Sequence, residues 1–77
     1  MKYTQFARLP MKGRISWIQD KLIEKNYLNT GESTPATRDK KFIRALKAFQ
    51  HDVGMTENAD ITEQLFNELN TNTKPRG

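Results

Sequence analysis

Residues Arg38 to Met55 read RDKKFIRALKAFQHDVGM, and this stretch decides the fold. Phe42, Leu46, Phe49 and Val53 recur at helical spacing, so at about 100° per residue they fall within roughly 40° of one another on one stripe. That stripe requires a core to cover it. Lys40, Arg44, Lys47 and His51 keep the same spacing two residues out of phase, about 160° away, which makes them the wet face. Thr37 or Asp39 can cap the start of the helix. Gly54 then enters the left-handed region at little cost, which stops the helix and turns the chain back.

Working outward, Ile15, Ile18 and Leu22 form a second stripe in a helix expected over Gly13 to Lys25, with Ser16, Asp20 and Glu24 on its other side. Asn26 suits the left-handed cap, and Tyr27 with Leu28 can fold back on the last turn. NTGESTPAT, residues 29–37, is turn and cap chemistry throughout, hence a loop. On the other side of Gly54 the chain is polar until Ile61. Thr62 is then a good N-cap for a short third helix carrying Leu65, Phe66 and Leu69, with Ile61 and Phe66 placed as a hydrophobic staple. Residues 1–12 read as an arm, because Pro10 blocks a continuous helix through Tyr3, Phe6, Leu9 and Met11. The arm is expected to cover part of the core. Residues 70–77 read as a disordered polar tail. The expectation is therefore an all-α fold: a three-helix bundle over residues 13–69, preceded by an arm.

Composition sets the limits. A chain of 77 residues with an apolar fraction of 35% supports one small core. With no cysteine there is neither a disulfide nor a thiolate metal site, and the redox compartment stays open. The net charge of +4 favours anionic partners without naming one. No run of about 18 apolar residues exists to span a membrane. The basic amino end, MKYTQFARLPMKGR, lacks the apolar run of a secretory signal.

Together these motifs resemble the peptidoglycan-binding domain-like family. Ile15, Ile18, Gln19, Leu22, Tyr27 and Leu28 match its first motif. Asp39, Phe42, Ile43, Ala45, Leu46, Lys47, Phe49, Gln50, Gly54 and Met55 match its central one. The order and spacing cover roughly Gly13 to Leu69. Two departures stand out. Where many members carry a glycine-rich Asp-Gly-x-Phe-Gly loop, this chain has GESTPATRD. Where the closing motif has Gly, Ile-Asp and Thr, it has Ala59, Ile61 with Thr62, and Leu65. The resemblance implies a non-catalytic module that brings an attached or associated hydrolase, or an envelope machine, to peptidoglycan. It also implies work in the envelope, periplasm or cell wall as part of a longer or exported chain. The family includes interaction modules too, so the fold is implied more firmly than the ligand.

The candidate ligand-binding residues are Tyr27, Arg38, Asp39, Gln50 and Trp17. Gln19 and Gln50 sit beside the apolar stripes, where a partly buried amide must find partners, and loop backbone groups are the expected ones. Trp17 lies about 130° from the stripe of its helix. Either the arm packs on it through Phe6 or Leu9, or it is exposed for a sugar ring or a protein partner. Tyr27 reads as core before ligand contact. The basic stripe reads first as a solvated face, with stem-peptide carboxylates, wall phosphates or nucleic acid as alternatives. For catalysis the single histidine, His51, lacks partners, and Asp20 with Glu24 simply repel. The chain is expected to be a monomer and not an enzyme, with no cofactor and no metal. Its partner is expected to be peptidoglycan or, with the sugar site lost, a protein. Nucleic acid ranks last, because about eight residues part the last two helices where a helix-turn-helix has three or four.

Overall fold

The apolar stripe of the central segment folds as its spacing requires. A computed structural model, which describes residues 1–71, contains four helices: α1 (Tyr3–Ala7), α2 (Met11–Glu24), α3 (Lys40–Asp52) and α4 (Glu63–Asn70). No strand occurs among the described residues. The chain is a small all-α bundle. α2 packs against both α3 and α4, and α1 lies on α4. Ile15, Ile18 and Leu22 of α2, Phe42, Leu46 and Phe49 of α3, and Leu65, Phe66 and Leu69 of α4 make the core.

The ends of the helices follow the anticipated chemistry. Of the two candidate caps for α3, Asp39 takes the position, and its side chain accepts from the Phe42 N–H. Thr62 caps α4 by accepting from the Leu65 N–H. Asn26 at φ 65° and Gly54 at φ 77° turn the chain after α2 and α3. At each turn the backbone folds back on the helix: Tyr27 N–H donates to the Leu22 carbonyl, and Met55 N–H to the Gln50 carbonyl.

Two boundaries move. The arm is not merely an extended cover, since Tyr3–Ala7 form a short helix, with Gln5 Oε1 accepting from the Lys2 N–H at 2.9 Å. Pro10 does break the chain, but as the N-cap of α2, which therefore starts at Met11 and not Gly13. Proline suits this place because the first turn of a helix has N–H groups with no internal partner. The disordered tail expected over residues 70–77 starts late, since Asn70 is the last residue of α4 and Thr71 its C-cap; the disorder expected of residues 72–77 falls outside the described residues.

The arm covers the core through Phe6, which is 1% exposed. Its ring centroid lies 5.2 Å from that of Trp17 and 5.0 Å from that of Phe66, and Tyr3 meets Phe66 edge-on at 5.6 Å. Trp17 is thus half-buried and packed by the arm, as one of its two readings required. It also does something the helix pattern does not foresee: it stacks on Phe66 of α4 at 5.0 Å and 23°. Lys21 Nζ sits 5.5 Å from the same ring.

Near the far end of α2, Lys25 is only 4% exposed, and its Nζ donates to the Thr71 carbonyl at 3.1 Å, at the C-cap of α4. Basic side chains at a helix C-terminus meet carbonyls that have no internal partner. Beside it, Asn70 Nδ2 donates to the Met1 carbonyl at 3.1 Å, which brings the first residue against the end of α4.

Because Trp17 joins arm, α2 and α4, Trp17→Ala should lower stability by about 2 kcal/mol, less than for a fully buried tryptophan. Thermal unfolding followed by circular dichroism should show Tm falling by roughly 8–16 °C. An unchanged Tm would place Trp17 outside the packing.

Candidate functional site

Two buried carboxamides hold the loops of the bundle in place. Gln19, 5% exposed on α2, directs Nε2 to Ser33 Oγ at 2.8 Å and to the Thr34 and Thr37 carbonyls at 2.9 and 3.3 Å, while its Oε1 accepts from the Ala36 N–H at 2.8 Å. Gln50, fully buried on α3, donates from Nε2 to Asn58 Oδ1 at 3.1 Å, and its Oε1 accepts from the Ala59 N–H at 2.8 Å. Each glutamine therefore fixes an alanine in the left-handed region, Ala36 at φ 56° and Ala59 at φ 57°. That conformation costs a non-glycine residue roughly 1 kcal/mol, which the buried hydrogen bonds offset.

Arg38 meets the same loop from the other end of α3, with Nη1 donating to the Ala59 carbonyl at 2.9 Å. Asp39 ties down the first loop. Its Oδ1 accepts from the Phe42 N–H at 2.9 Å and from the Ser33 hydroxyl at 2.8 Å, and its Oδ2 from the Thr34 N–H at 2.8 Å. The Phe42 N–H, then the Thr34 N–H, then the Ser33 hydroxyl stabilise the carboxylate and hold its pKa down at about 2. Tyr27 is half-buried, packs edge-on against Phe49 at 5.4 Å, and donates its hydroxyl to Asp52 Oδ2 at 2.7 Å.

Of the five residues singled out in the sequence, Arg38 and Gln50 converge on Ala59 while Asp39 holds the neighbouring loop. Tyr27 sits at the C-terminal end of α3, and Trp17 belongs to the aromatic cluster under the arm. Gln50 has no exposed surface to offer a ligand. Its amide acts on the loop.

Two surface features remain. The first is a cleft of about 190 Å³ between α2 and the 29–35 turn, lined by Ser16, Asp20, Asn29 and Thr30 together with Ile23, Leu28 and Pro35. Gly31, at φ 81°, lets the chain turn at its mouth. The second is an open groove along the outer side of α3, where Lys40, Arg44 and Lys47 flank Ile43 and Ala48, with Glu57 on the loop side. The basic stripe is exposed, as expected of a wet face. Its apolar neighbours Ile43 and Ala48 belong to neither stripe of a helix divided into one buried and one wet side. Their spacing from Lys40 of three and eight residues was the available signal. His51 Nδ1 lies 3.0 Å from Glu57 Oε2 at the surface. Among the described residues no group of three or more His, Cys, Asp or Glu side chains could hold a metal ion, and no helix is long and apolar enough to cross a membrane.

Comparisons with family models, with curated proteins and with solved structures return no match.

Removing the Gln50 amide isolates a buried N–H, so Gln50→Leu should lower the unfolding free energy by about 2 kcal/mol in urea at pH 7. A loss under about 0.5 kcal/mol would mean that the Ala59 N–H has another acceptor. Asp39 adds a pH signature. Its folded pKa of about 2 lies below the unfolded value of 3.8, so its contribution is complete above that value and is lost as pH falls toward 2. The stability gap between wild type and Asp39→Asn should therefore be constant from pH 5 to 7 and narrow between about pH 4 and 2. A gap independent of pH would remove the carboxylate from this role.

Proposed function

We propose that this chain is a non-catalytic cell-wall-binding module, which holds an attached or associated hydrolase or envelope machine against peptidoglycan, with a glycan unit seated in the cleft under the 29–35 turn. The observation that carries this reading is the make-up of the cleft. A sugar ring presents hydroxyls around its edge and C–H groups on its faces, so its site needs hydrogen-bonding groups beside an apolar surface. Asp20, Ser16, Asn29 and Thr30 supply the first, and Ile23, Leu28 and Pro35 the second. Gln19 and Leu28, two positions that carry the resemblance to the peptidoglycan-binding domain-like family, line the same cleft.

Rigidity favours the reading as well. The turn is held from α2 by Gln19 and from the start of α3 by Asp39, so little conformational freedom is lost when a ligand enters. A single shallow cleft binds weakly, and such a module gains retention from the repetition of its ligand along the wall. A cell-envelope location goes with this proposal, as does a role in binding and not in bond breaking.

Sedimentation with purified sacculi tests it. Recognition by hydrogen bonds and apolar contact should survive added salt, so the protein should pellet at both moderate and high ionic strength. Asp20→Ala, at an exposed position, should reduce the bound fraction severalfold while leaving the Tm unchanged. Recovery in the supernatant at both ionic strengths would sink the proposal.

A further inference from the structure

The groove on α3 takes no part in the glycan reading, and its chemistry is different. Lys40, Ile43, Arg44, Lys47 and Ala48 stand at successive i, i+3, i+4, i+7 and i+8 positions, which is one continuous helical face. Two neighbouring lysines are neutralised locally: Lys21 pairs with Glu24, and Lys41 with Glu32. Among the described residues Lys40, Arg44 and Lys47 make no ion pair. Three unpaired cations thus run about 10 Å along the axis, at about 1.5 Å per residue. Between them lie half-buried Ile43 and Ala48, of which Ala48 is small enough to admit a closely packed backbone. Glu57 closes the loop side.

We propose that this face docks an acidic amphipathic helix of a partner protein. A helix laid beside α3 repeats the same 1.5 Å rise, so carboxylates at i, i+4 and i+7 come into register with Lys40, Arg44 and Lys47. Its small or apolar residues between them cover Ile43 and Ala48. Glu57, whose Oε2 already lies 3.0 Å from His51 Nδ1, disfavours a second acidic edge on its side, which fixes the direction of docking. Nucleic acid would use the three cations alone and gain nothing from the apolar strip.

The test uses the full chain and a fluorescein-labelled synthetic helical peptide of about four turns, carrying Glu at the three matching positions and Leu or Ala between them. Fluorescence anisotropy should show saturable binding. Polyglutamate of equal length and a short DNA duplex should each bind at least about fivefold more weakly. Reversing two cations, Arg44→Glu with Lys47→Glu, should weaken the peptide complex roughly tenfold with circular dichroism unchanged, both positions being exposed. Asp20→Ala, which strikes the glycan cleft, should leave peptide affinity intact, so the two surfaces fail or succeed separately. The proposal is overturned by absence of saturable peptide binding, by equal affinity for polyglutamate or duplex DNA, or by a double variant that binds like wild type.

Discussion

A residue taken out of water must have both its backbone N–H and its carbonyl satisfied, and at Ala59 two side chains of the α3 segment do this. Gln50 accepts from the N–H, and Arg38 donates to the carbonyl from before the start of the helix. The polar segment after Gly54 is thereby laid back along α3. Only from that position does Thr62 open α4 where Leu65, Phe66 and Leu69 can reach the core. Phe66 in turn receives Trp17 and Phe6, so the seating of the amino-terminal helix depends on a loop that it does not itself touch through any of these bonds.

The first half of the chain solves the same problem by the same means. Gln19 and Gln50 each stand on the last half of a long helix, each is followed by a left-handed turn, and each accepts from the N–H of a left-handed alanine. Neither alanine conformation comes from local preference. A side-chain amide holds the backbone where glycine would rest more easily. The price is strain at Ala36 and Ala59, and the gain is a turn with fewer states when no ligand is present.

Much of this was legible because it is local or periodic. The stripes of α2, α3 and α4, the capping roles of Asp39 and Thr62, and the turns at Asn26 and Gly54 all follow from spacing and residue type. So did the need of Gln19 and Gln50 for loop partners. What escaped was tertiary. Tyr3–Ala7 is too short to be helical on propensity alone and is held by Phe6 in the core. The stack of Trp17 on Phe66 joins residues far apart in sequence, and no helical wheel of α2 contains it. Lys25 reads as an ordinary surface lysine until α4 brings the Thr71 carbonyl over it. Arg38 and Asp39 hold backbone in place, because polar side chains at a helix start meet the nearest unsatisfied peptide first.

The bond from Asn70 to the Met1 carbonyl carries a topological consequence. Entry and exit of residues 1–71 lie side by side, so this unit can be spliced into a surface loop of a host protein across a gap no wider than a hairpin. The linings of the cleft beside α2 and of the groove along α3 include no residue of this junction. The bundle is thus a cassette whose wiring can be redrawn without disturbing the surfaces it displays.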